Sequence, residues 1–68
     1  MKISARNVLP GKVIEVHKGA TTAHVVLDVN GMKITASITN EAVDELKLEP
    51  GSTASAIVKA SDVLVAVD

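Results

Sequence analysis

Three short stretches of the chain carry positive charge and hydroxyl groups: Ser4-Ala5-Arg6-Asn7, Ile38-Thr39-Asn40 and Lys59-Ala60-Ser61. Arg, Lys, Ser and Thr present N–H and O–H donors, the groups that an anion needs. A helix beginning near Thr39 would add free backbone N–H groups and the positive end of its dipole. A fourth stretch, Lys18-Gly19-Ala20-Thr21-Thr22, is also rich in donors, and Gly19 permits a concave nest of backbone amides there. Each piece has an ordinary reading too, as a strand edge, a solvated cation or a helix cap. On composition alone that ordinary reading is preferred.

Other chemistries are poorly provided for. A Ser-His-acid triad needs a Ser on a strained turn beside a His held by a carboxylate, and no such turn is visible. The two histidines, His17 and His24, flank the Lys18-to-Ala23 turn, which can bring strand neighbours side by side. Two His without a third ligand at useful spacing remain a weak signal for a metal cation, and none is expected. Neither G-x-G-x-x-G nor G-x-x-x-x-G-K-[ST] occurs, so no phosphate loop is present.

Composition narrows the class further. The chain has 68 residues, 47% of them apolar, with no Phe, Tyr, Trp or Cys. The length allows one domain, residues 1–68. Domains this small usually rely on disulfides, a structural metal or a large aromatic core. Without Cys or aromatics, oligomerisation is the remaining route. Eleven Val and nine Ala suggest closely packed strands. The net charge of −1 and the lack of stacking platforms argue against a nucleic-acid surface. No stretch has the apolar core of a signal peptide or the length of a membrane span, so a cytoplasmic protein is expected.

The elements that must position these residues are short strands. Lys12–His17 is a β-branched run. From Thr21 to Val29, Ala23, Val25, Leu27 and Val29 share one face, the period-2 pattern of a strand. Asn30-Gly31 is a hairpin turn of type I′, and Met32 to Thr39 alternates in the same way. Thr39 or Asn40 caps a helix of about two turns, with Glu41, Asp44 and Glu45 near its start, and Pro50-Gly51 stops it. Ser52–Ala60 and Val63–Val67 complete five strands, separated by Ser61-Asp62. The expected architecture is all-β with one short helix, an OB-like five-stranded barrel. Val26 and Ile57 oppose the regular apolar faces, and Val63–Val67 is apolar on both. Such strands are covered on both sides, which favours an oligomer.

The order and spacing of the donor stretches alter their weighting. Ser4-Ala5-Arg6-Asn7-Val8-Leu9-Pro10-Gly11-Lys12-Val13, then Gly19-Ala20, Ala36-Ser37-Ile38-Thr39, Leu46-Lys47-Leu48 with Pro50-Gly51, and Lys59-Ala60-Ser61-Asp62-Val63 run through essentially the whole chain. The pattern resembles the molybdate-binding Mop domain, or molbindin, of the TOBE class. The resemblance implies small cytoplasmic proteins that assemble as hexamers, trimers of dimers, and bind molybdate or tungstate at subunit interfaces without catalysis or a cofactor. Carried over by position, one site uses Ser4, Ala5, Arg6, Thr39, Lys59, Ala60 and Ser61, completed by groups from different subunits. A second site, near the symmetry axes, would use Lys18, Gly19, Ala20, Thr21 and Thr22.

The implied ligand suits a pocket of donors. Molybdate at pH 7 is a tetrahedral dianion with four acceptor oxygens, whereas phosphate still carries protons that need acceptors. An unmet proton in a dry pocket costs roughly 1–3 kcal/mol. Such a pocket therefore favours molybdate, tungstate and sulfate over phosphate. Three rival readings compete with an oxyanion store or buffer. One is an accessory domain of a longer molybdate transporter or regulator, against which Met1 and the fit to one module argue. The others are an OB-type nucleic-acid binder and an interaction-only module.

Overall fold

In the computed structural model, which describes all 68 residues, the chain is organised around one antiparallel hairpin. Strand β2 (Thr22–Val29) pairs with β3 (Met32–Thr39) from Val29↔Met32 to Thr22↔Thr39. Asn30 (φ 51°) and Gly31 (φ 89°) supply the two positive φ angles that a type I′ turn demands. The Gly31 N–H donates to Asp28 Oδ1 at 2.7 Å, which closes the turn. Ala23, Val25, Leu27 and Val29 are buried on the face that the alternation assigns to them.

Strand β1 (Asn7–Lys18) is longer than the expected Lys12–His17 run because it serves two partners. Its first half pairs with β4 (Thr53–Val58), and its second half pairs with β2. Lys12 sits opposite both Thr53 and Asp28. At that changeover a Cβ on Gly11 would collide with the Asp28 backbone oxygen and the Val29 side chain, so only glycine fits. A bulge at Ile14, between Val13↔Leu27 and Glu15↔Val26, adds to the local bend. The sheet order is β3-β2-β1-β4, and its curl is that of an OB-like barrel.

Helix α1 (Asn40–Glu45) starts where expected but is shorter than two turns. Thr39 caps it, with Oγ1 accepting from the Ala42 N–H at 3.0 Å. Lys47 turns left-handed (φ 54°) and ends the helix before Pro50 is reached. Leu48 N–H then donates to the Val43 carbonyl at 3.0 Å. Val43 is buried with Val13, Ala23, Val25 and Leu27, so α1 plugs one end of the core.

The fifth strand does not form within the chain. After β4 a 3-10 turn (Ala60–Asp62) redirects the backbone, and residues 64–68 make no backbone hydrogen bond. Leu64, Val65 and Val67 are 93%, 89% and 93% exposed. This segment, apolar on both faces, is left uncovered by the chain's own sheet. The barrel is correspondingly open between β3 and β4, where an apolar groove of about 430 Å³ is lined by Ile34, Ala36, Ile38, Ala54, Ala56 and Val58 among others.

The exposed surface is large for such a chain. A compact 7.0 kDa monomer should expose about 4,000 Å², whereas this chain exposes 5395 Å². Its radius of gyration is 12.7 Å, against about 11 Å expected for this length. Only six residues are buried. Gly11→Ala should therefore lower stability by about 1–3 kcal/mol, the usual cost of overpacking. Urea unfolding followed by circular dichroism will measure it.

Candidate functional site

The antiparallel β1–β4 ladder brings two of the donor stretches together. Asn7 pairs with Val58, and the Asn7 side-chain amide donates to the Val58 carbonyl at 3.1 Å. Arg6 and Lys59 are the next residues beyond that pair, just outside the ladder. Ser4 and Ala5 precede this point, while Ala60 and Ser61 follow it through the 3-10 turn. All are exposed except Ala5, which is half-buried. Neither Arg6 nor Lys59 makes a salt bridge; the two ion pairs of the chain are His17–Glu15 and Lys18–Asp44. A dianion held between two such cations would accept charge-assisted hydrogen bonds from both.

Thr39 lies elsewhere. The register places it opposite Thr22, at the end of β1 that carries Lys18, with the length of β1 separating it from Asn7. No side-chain hydrogen bond or ion pair links Thr39 to the Arg6–Lys59 cluster. The Thr39 oxygen is occupied as a cap acceptor, but its hydroxyl proton remains available to donate. One chain thus carries two separate groups of donors at opposite ends of its longest strand.

The Lys18–Thr22 stretch is tied to the start of the helix. Asn40 N–H donates to the Thr21 carbonyl at 2.9 Å, and Asn40 Nδ2 donates to the Gly19 carbonyl at 2.9 Å. Lys18 Nζ is paired with Asp44 Oδ1. Gly19 itself offers no free amide to a nest. Gly19 N–H donates to the Thr22 carbonyl at 2.7 Å, and Gly19 is not among the residues with positive φ. The reason is local: the turn closes its own hydrogen bonds. Thr21 and Thr22 remain exposed beside Thr39.

Asn7 and Asn40 were not among the site residues expected from sequence. Each holds a donor stretch in place rather than presenting a donor to solvent. Asn7 stands inside the Ser4-Ala5-Arg6-Asn7 motif and Asn40 follows Thr39, so adjacency was the one available signal. No group of three His, Asp or Glu side chains converges as a cation site. No helix is long and apolar enough to cross a membrane.

Comparison with known proteins gives the same picture across nearly the full length. The TOBE domain family matches residues 3–65. The chain is 47% identical over 66 residues to molybdenum-pterin-binding protein 2 of Clostridium pasteurianum, covering 96% of this chain and 97% of that one. It superimposes on a molybdate-binding protein from Sporomusa ovata with a TM-score of 0.95 and 42% identity, covering 98% of this chain and all of that chain. A structure of the cytoplasmic molybdate-binding protein ModG with molybdate bound gives a TM-score of 0.90 at 48% identity; the match covers 94% of this chain and 46% of that one. On this evidence the chain belongs to the TOBE domain family, as a domain of the Mop type.

Proposed function

We propose that this chain binds molybdate, or the equivalent tungstate dianion, at the interfaces of a homo-oligomer, and stores or buffers it in the cytoplasm without catalysis. The observation that carries the proposal is the β1–β4 ladder, which ends at Asn7↔Val58 and leaves Arg6 and Lys59, two cations without an acidic partner, each one residue beyond it. Ser4, Ala5, Ala60 and Ser61 supply hydroxyl and backbone donors around them. The molybdate-binding relatives support the choice of oxyanion.

Division of the donors between two ends of β1 has a consequence for assembly. Thr39 completes the Arg6–Lys59 site only if it comes from another copy. The Lys18–Thr22 stretch beside Thr39 is the candidate for the second site, with Thr21 and Thr22 as its open donors. Surplus surface, an open apolar groove and an uncovered 63–67 segment all support association of chains; the number of subunits, a hexamer built as a trimer of dimers, is what the family resemblance implies. A ligand that binds only between subunits stabilises the oligomer by mass action.

Arg6→Ala and Lys59→Ala are each expected to weaken molybdate binding by at least tenfold in isothermal titration, with strand content retained in circular dichroism. Unchanged affinity in both variants overturns the site. In the same titration at pH 7, phosphate should bind roughly five- to 150-fold more weakly than molybdate, from the roughly 1–3 kcal/mol cost of its unmet protons. Native mass spectrometry should show an oligomer that a chain ending at Asp62 fails to form. A stable monomer of the full chain in dilute solution refutes the assembly.

A further inference from the structure

The outer face of the β1–β2 ladder brings the two histidines of the chain together. His17 and His24 are direct partners across the strands. The adjoining pair, Val16 and Val25, points into the core, so alternation puts both imidazoles on the outer face, and both are exposed. Glu15 lies two residues before His17 on that face, with Oε2 at 3.9 Å from His17 Nε2.

We propose that His17 and His24 form a two-imidazole site for a borderline divalent transition-metal cation such as Zn²⁺, with Glu15 as the orienting carboxylate. Residues directly opposite on antiparallel strands have Cβ atoms about 4.5–5.5 Å apart. A tetrahedral Zn²⁺ with bonds of about 2.0–2.1 Å needs its two nitrogens about 3.3 Å apart. Binding of the ion requires the two imidazoles to turn toward each other from neighbouring positions on the ladder. The ladder continues on both sides, from Glu15↔Val26 to Lys18↔Ala23, so the strand spacing is set before any metal arrives. Imidazole is the commonest protein ligand for such ions. The chain has no cysteine to offer a softer competing site.

Three ligating side chains do not converge here, so water fills the remaining coordination positions. Glu15 acts on the site through His17: a carboxylate beside a ligating imidazole fixes its ring orientation and adds negative charge. The site lies at the Lys18 end of β1, away from the Arg6–Lys59 cluster. It takes a cation rather than an oxyanion, and it flanks the Lys18–Thr22 stretch proposed above as the second oxyanion site, so its test uses protein free of oxyanion.

The test is titration of the oxyanion-free protein with ZnCl₂, read by calorimetry and by the NMR signals of the imidazole rings. One Zn²⁺ per chain is expected, with the His17 and His24 signals shifting together. His17→Ala and His24→Ala should each weaken binding at least tenfold, and Glu15→Gln severalfold. All three side chains are exposed, so these variants keep the fold, which unchanged circular dichroism will verify. Single-histidine variants that bind like the parent overturn the proposal. So does a stoichiometry of one ion per two chains, which would mean that the metal bridges copies instead of strands.

Discussion

How much apolar surface one chain can cover with its own residues is the constraint on which this structure depends. Val13, Ala23, Val25, Leu27, Val29 and Val43 are the whole buried set, and none is larger than leucine. With so little to bury, the fold economises on backbone. One strand, β1, serves two partners, and the changeover at Gly11 is tight enough to exclude a methyl group. The seam between β3 and β4 stays open, and the wholly apolar segment 63–67 remains uncovered.

The same constraint organises the donors. Because β1 runs the length of the molecule, the residues flanking it are carried to opposite ends. Arg6 and Lys59 follow one end of the β1–β4 ladder, while Thr39 and the Lys18–Thr22 stretch meet at the other. Under the proposed function, a pocket that uses both groups would be shared between chains. Small core and divided donors would then be two results of one economy: a chain that leaves its edges uncovered also leaves its donors at those edges.

The β2–β3 hairpin and the capped start of the helix were legible from sequence because both are local. Alternation over eight residues and the Asn30-Gly31 pair need nothing from the rest of the chain, and Thr39 caps a helix that begins beside it. The first half of β1 was not legible. Pro10-Gly11 looks like a break, whereas Gly11 is there for the approach of the Asp28 backbone, a contact between distant residues. Val63–Val67 was legible as apolar on both faces but not as unpaired, since composition does not say what a segment pairs with. For the donor stretches, residue type was visible and position in the fold was not. The approach of the Asn7 and Val58 ends depends on a ladder between remote strands, and the amide of Gly19 is taken up by its own turn.

The bare edges of β3 and β4 also set a clock. Under the proposed assembly, a newly made chain is a precursor whose pairing is second order in chain concentration, while proteolytic trimming of its uncovered final residues is first order. Dilution lengthens the first process and leaves the second unchanged. Below some rate of synthesis the chain is shortened faster than it finds a partner, and a shortened chain lacks the apolar residues that assembly is proposed to cover. Abundance would then respond to expression with a threshold rather than in proportion.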